Sequence, residues 1–327
     1  MNRNRRLPVL LAGAAGLVLA ASACSSSGGR QEETATGADT PELTIAMITH
    51  EAPGDTFWDL VRAGAEDAAA KSGVTLEYFS DPEAARQATL IQAAVDKGVD
   101  GIAITLAKPD ALQGAIDNAA AAGIPVVGFN AGIDHWQDAG LIEYFGTDET
   151  LAGEAFGERL DEVGAEKALC VIQEQGHVAL ETRCDSLGEA FEGESETLYV
   201  DGANMPEVRS GITAKLQEDA DVDYVVTLGA PFAMTALDAV DDAGSDASVA
   251  TFDTNADLVG AIEDGLVEWA VDQQPYLQGY LAVDGLWLYG TNGNVSGGGS
   301  EPVLTGPNFI DQDNIDSVAA YAENGTR

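Results

Sequence analysis

The chain has 327 residues, of which 45% are hydrophobic and 21% charged, enough apolar material for a sizeable core and for more than one domain of ordinary size. Asp and Glu number 55 against 15 Lys and Arg, a net charge of −40 that excludes nucleic acid and anionic lipid headgroups as partners.

In chain order, residues 1–23 read as a signal peptide. A basic start, MNRNRR, precedes a short apolar stretch over residues 7–20 and the small residues Ala21, Ser22 and Ala23. The apolar stretch is too short for a comfortable membrane span. Cys24 follows directly, and the arrangement resembles the bacterial lipoprotein signal, in which this cysteine becomes the lipidated first residue. Ala21 stands where Leu is usual. The alternative is an ordinary signal peptide with a chance cysteine. Residues 24–42 are polar and rich in Gly and Ser, as expected of a flexible tether.

From residue 43 onward, short runs rich in Val and Ile alternate with longer amphipathic stretches. The runs predict strands over 43–49, 74–79, 101–106, 124–129, 141–146, 168–173, 197–201, 224–228, 248–252 and 268–273. The stretches predict helices over 56–71, 83–97, 109–122, 151–163, 206–218, 231–242 and 276–289. Uninterrupted apolar strands separated by helices imply parallel sheets covered on both faces. This many strands exceeds one compact sheet, so the expected fold is α/β with two doubly wound lobes. Two cysteines remain beyond Cys24, Cys170 and Cys184. In an oxidising exported compartment they invite a disulfide worth roughly 3 kcal/mol, with a buried reduced pair as the alternative.

In open parallel sheets ligands sit at the carboxyl ends of strands, so the strand-to-helix turns carry the functional reading. Those turns hold Asp55, Phe57, Trp58, Lys108, Asn130, Arg183, Asp253, Asn255 and Gln273, and Asn204 joins them from a turn near a hinge. Carboxylate, amide and guanidinium groups make paired hydrogen bonds to neighbouring hydroxyls, and aromatic faces cover the C–H faces of a sugar or polyol. Each residue also has a plainer role open to it. Trp58 suits the helix core, Asp55 a helix cap, Arg183 a surface ion pair, and Asn130 and Asp253 solvated turns. His50 stands open between the two; His135 and His177 are expected as solvated loop residues.

This ordered series resembles the sugar-binding proteins of bacterial ABC importers, in the ribose/galactose-binding branch of the type I periplasmic-binding fold, over about residues 43–306. The resemblance matches the aromatic pair after the first strand to Phe57 and Trp58, with Asp55 two positions ahead. It matches Asn130 after strand four, Arg183 after strand six, Asp253 after strand nine and Gln273 beside the hinge. It implies three crossings between lobes, near Thr147, Gln273 and Leu304. The lobes would be 43–147 with 274–303, and 148–273 with 304–327. It implies a monomer that captures a neutral monosaccharide or sugar alcohol and delivers it to an ABC permease, without a cofactor or metal. A sensor of the same fold, presenting its ligand to a membrane receptor, is the second reading. Asn130-Ala131 replaces the Asp-Arg often seen after strand four, and Gly229-Ala230 replaces Asn-Asp after strand eight, which argues against ribose. Only three histidines occur, far apart, and no HExxH, GxSxG or Walker pattern is present, so no enzyme is expected.

Overall fold

A computed structural model describes residues 41–327. The expected signal peptide, Cys24 and most of the tether lie outside the described residues. Among the described residues the first half runs β1 (Thr44–Thr49), α1 (Phe57–Ser72), β2 (Thr75–Ser80), α2 (Ala84–Lys97), β3 (Gly101–Thr105), α3 (Pro109–Ala121), β4 (Val126–Asn130) and β5 (Glu143–Thr147). The second runs α4 (Glu149–Val163), β6 (Lys167–Ile172), α5 (Val178–Ala190), β7 (Glu194–Tyr199), α6 (Met205–Glu218), β8 (Tyr224–Thr227), α7 (Ala230–Ala243), β9 (Ser248–Phe252), α8 (Ala256–Glu263) and β10 (Trp269–Asp272). Then follow α9 (Pro275–Asn292), β11 (Val303–Gly306), β12 (Asn308–Asp311) and α10 (Ala319–Glu323).

The strands form two six-stranded sheets, ordered β11-β5-β4-β3-β1-β2 and β12-β10-β9-β8-β6-β7. All pairings are parallel except β10 with β12. Side chains alternate across a strand, so one apolar run serves two core layers. On β1, Ile45 and Met47 pack with α1 and α9, whereas Ala46 and Ile48 pack with α2 and α3. On β6, Leu169 and Val171 join the layer of α6 and α7, and Cys170 and Ile172 the layer of α4 and α5. This is the two-lobe type I periplasmic-binding fold.

The chain passes between the sheets after β5, after β10 and after β11. The last passage is later than expected: Leu304 lies inside β11, paired with Gly146, and the chain leaves that sheet at the cis Gly306–Pro307 peptide. Two helices that sequence periodicity left as turns also appear, α5 and α8. Among the described residues no helix is long and apolar enough to cross a membrane.

The position of α1, which begins with the aromatic pair, is set by its crossing with α9. A Cβ on Gly64 would lie 1.9 Å from the Tyr276 carbonyl oxygen, and one on Gly279 would lie 2.0 Å from that of Val61. The two backbones touch, so neither site admits a methyl group without a shift of a whole helix. Gly64→Ala and Gly279→Ala are therefore expected to destabilise the protein by about 3 kcal/mol each. Thermal unfolding measures this, and a melting point unchanged in both variants would contradict the contact.

Candidate functional site

Each sheet has a switch point where the strand order reverses, beside β1 in one lobe and beside β6 in the other. The turns that follow these strands meet at the seam between the lobes and enclose a cleft of about 450 Å³. One wall carries His50, Asp55, Phe57, Trp58, Lys108 and Asn130; the other carries Gln173, His177, Arg183, Phe232 and Asp253, with Gln273 beside the hinge.

Asn130 ends β4 and Asp253 directly follows β9, with φ of 66° and 65°. This left-handed conformation costs most side chains free energy but is tolerated by Asn and Asp, and it turns both side chains off the strand into the cleft. Asn130 Nδ2 donates to Gln278 Oε1 at 3.2 Å. Asp253 is buried with Oδ1 lacking a partner. Burial pushes its carboxyl up to about 8, against the pull of Arg183 and Gln273. At neutral pH a carboxyl held this way is mostly protonated, so it can give a hydrogen bond to whatever enters as well as accept one at Oδ1.

Arg183 is 3% exposed and is paired with Glu149, itself 1% exposed. Nη2 donates to Glu149 Oε1 at 3.1 Å, Nε donates to Oε2, and the guanidinium lies 4.6 Å from the centre of the Phe252 ring. Those contacts occupy one edge of the fork, and Arg183 also borders the cleft. The Cys170–Cys184 disulfide, with Cα atoms 5.9 Å apart, ties the same turn of α5 to β6. The alternative of a reduced pair is thereby set aside.

The aromatic pair divides its work. Trp58 is 3% exposed and belongs to the lobe core, yet it borders the cleft, its ring centre 4.8 Å from that of His50. Phe57 is half-buried beside it. Asp55 accepts from the Phe57 backbone N–H at 3.1 Å, and burial nevertheless pushes its carboxyl up to about 6.

Other expectations need correction. Asn204 is exposed at the start of α6, donates to Glu207 and does not line the cleft. Asn255 caps α8 by accepting from the Leu258 N–H at 2.8 Å, and its amide reaches Thr56 across the seam at 3.4 Å. It is a rim contact, because a capping oxygen must point along its own helix. Lys108 borders the cleft but is engaged with Glu174 of the other lobe at 2.8 Å. His177 is 4% exposed and not solvated, because the meeting of the lobes covers it; His135 is exposed. Gln173 and Phe232 were missed, although both stand in turns after apolar strands, the signal that found the others.

His50, Glu174 and His177 bring one donor atom each within 4.8 Å of one another. The Lys108 ammonium on Glu174 supplies a cation there already, which makes the trio a poor host for a metal ion.

Residues 45–293 match the family model of the periplasmic binding protein domain. The chain belongs to this family. It is 56% identical to a carbohydrate transporter of Acidothermus cellulolyticus whose crystal structure is in complex with myo-inositol. That match covers 88% of this chain and 100% of that one, with a TM-score of 0.87. It is 25% identical over 271 residues to the xylose/arabinose-binding protein of Sulfolobus acidocaldarius, covering 76% of this chain and 66% of that protein, a little under two-thirds of its length. It is 24% identical over 269 residues to the ribose import binding protein of Bacillus subtilis, covering 80% of this chain and 86% of that one.

For a member of this family the cleft carboxylate should trade stability for affinity. Its value in the folded protein lies above the unfolded one, so stability is full below about pH 4 and declines as pH rises through about 8. Asp253→Asn is expected to raise the melting point of the ligand-free protein by a few degrees at pH 8 and to leave it nearly unchanged at pH 4. Differential scanning calorimetry at both pH values measures this; a lower melting point at pH 8 would contradict the assignment.

Proposed function

We propose that this protein is an exported, lipid-anchored solute receptor that captures a cyclic polyol of the inositol class between its lobes and delivers it to an ABC importer. The observation that carries this reading is the 56% identity, across nearly the whole described chain, to a transporter crystallised with myo-inositol. The cleft's chemistry supports it. A cyclic hexol offers a hydroxyl on every ring carbon and no charge. Asp253 Oδ1 has no hydrogen-bond partner, Arg183 and Asn130 carry N–H groups, and Phe57 and Trp58 offer apolar surface to ring C–H bonds. A ligand touching both walls favours the closed arrangement, because only there are all contacts made together. The closed form is then the one the importer meets.

Two measurements test the two halves of this reading. In calorimetric titrations myo-inositol should bind at least tenfold more tightly than ribose, xylose or arabinose; tighter binding of any of these pentoses would replace the assigned ligand. Export and anchoring rest on Cys24 and the signal-like segment before it. Cys24→Ser should move the protein from the membrane fraction to the soluble fraction of cells, and retention in the membrane would remove the anchor.

A further inference from the structure

Two histidines from opposite lobes meet at the seam. His50 follows β1 and His177 precedes α5, and their Nε2 atoms are 2.9 Å apart. The rings are nearly perpendicular, with an interplanar angle of 73°, and are 8% and 4% exposed. Both line the cleft, yet neither belongs to the set of carboxylate, amide and guanidinium groups assigned above to the polyol.

The proton positions in this pair follow from counting donors. Thr105 Oγ1 receives the His50 backbone N–H at 3.2 Å and Gln87 Nε2 at 3.2 Å. Gln87 Nε2 also donates to the Thr105 carbonyl at 2.9 Å, and the arrangement that uses both its protons and the His50 N–H fills both lone pairs of the hydroxyl, whose own proton is then given onward. It goes to His50 Nδ1, 2.7 Å away. His50 Nδ1 is then an acceptor, and the ring proton sits on Nε2. That proton is donated to His177 Nε2, which leaves the His177 proton on Nδ1, a buried atom with no protein partner. Each link requires the next, and the series runs only while both rings are neutral. A proton added to His177 sets its Nε2–H against that of His50 at 2.9 Å, and one added to His50 sets an Nδ1–H against the Thr105 hydroxyl proton at 2.7 Å.

The surroundings reinforce this. Lys108 and Arg183 line the same cleft, and their charges oppose a further positive one, Lys108 on both rings and Arg183 on His177. The acids that could offset a new positive charge are committed, Glu174 to Lys108 and Glu149 to Arg183. The Trp58 ring packs nearly perpendicular to that of His50, with 4.8 Å between their centres. Burial, with Lys108 adding to it, pushes His50 down to about 3; burial and its cationic neighbours push His177 well below its usual value.

We propose that His50 and His177 form a proton-gated clasp between the lobes, which latches only when both imidazoles are neutral, so that closure on ligand expels the protons the open histidines hold in acid. With the lobes apart each ring meets water and returns towards its ordinary value near 6.5. The closed value lies below the open one. The clasp therefore contributes fully above about pH 7 and weakens as pH falls through 6.5. By linkage each histidine lowers affinity about 30-fold at pH 5. Asp55 and Asp253 act in the opposite direction, since burial raises both in the closed cleft. The histidine contribution must therefore be read as a difference between proteins that share those carboxyls.

Titration with myo-inositol at pH 7.5, 6 and 5 supplies that difference and rests on the ligand reading given above. Wild type and the double variant His50→Gln/His177→Gln are compared, with His177→Gln alone serving if the double variant does not fold. The wild-type affinity should fall at least tenfold more between pH 7.5 and 5 than that of the variant. In buffers of differing ionisation enthalpy at pH 6, wild type should release about 1.5 more protons on binding than the double variant, since each open histidine at 6.5 is about three-quarters protonated there. Equal pH dependence in the two proteins overturns the clasp. Failure of both proteins to bind myo-inositol at pH 7.5 counts against the ligand reading alone. Small-angle scattering of the ligand-free proteins then decides: acid should expand wild type and not the variant, and matching profiles at every pH overturn the proposal.

Discussion

The Arg183–Glu149 ion pair is the interaction around which the cleft is organised. Bringing a guanidinium out of water costs several kcal/mol unless a partner and hydrogen bonds replace its hydration. Glu149 meets that requirement from the first turn of α4, immediately after the chain enters the second lobe, and the Phe252 face covers the cation from β9. The pair therefore joins α4, α5 and the strand that presents Asp253. Holding Arg183 in this way leaves a fixed donor at the seam whether or not a solute is present. The same positive charge is one of the groups that keep Asp253 from rising further and His177 from taking a proton. Removing Glu149 would leave an unbalanced buried cation and disturb every titrating group on that wall.

Backbone strain is concentrated at the same place. Among the described residues three other than glycine have positive φ: Asn130, Asp253 and Gln274. Two stand at strand ends at the cleft and the third opens α9 directly after the hinge. Asn and Asp are the cheapest side chains for this conformation, but Gln is not. Gln274 is held by its amide bond to the Thr305 carbonyl at 2.7 Å and by its N–H to Asp272 at 2.9 Å. Arg327 reaches the same two residues, pairing with Asp272 and donating to the Gln274 side chain. Strain of this kind persists where the surroundings over-determine it, and hinges and ligand sites are where it is found.

Much of the architecture was legible in the sequence because parallel strands covered on both faces read as apolar runs that leave little ambiguity. The elements that escaped notice have physical reasons. In α5 the buried face runs through Ala179, Leu180, Arg183, Cys184 and Leu187. A charged residue stands where periodicity asks for an apolar one, and that residue is the functional one. The short β11 and β12 acquire their place only from long-range pairing with β5 and β10, which no local pattern encodes. Among cleft residues, strand-end position located Asp55, Phe57, Trp58, Asn130, Arg183 and Asp253 on the walls. It failed for Asn204 and Asn255, where a short polar side chain served its own helix. His177 could not be read as buried from its neighbours, because what covers it is the opposite lobe.

The cross-link between β6 and α5 has a practical consequence. Cys184 is the residue next to Arg183, so the covalent tie secures the stretch of helix that aims the guanidinium. A fluorescent reporter built on this scaffold and made in the reducing cytosol would lack that tie. Its response to solute would then differ from that of the same reporter secreted into an oxidising medium. The redox history of a preparation belongs beside its concentration whenever two binding curves are compared.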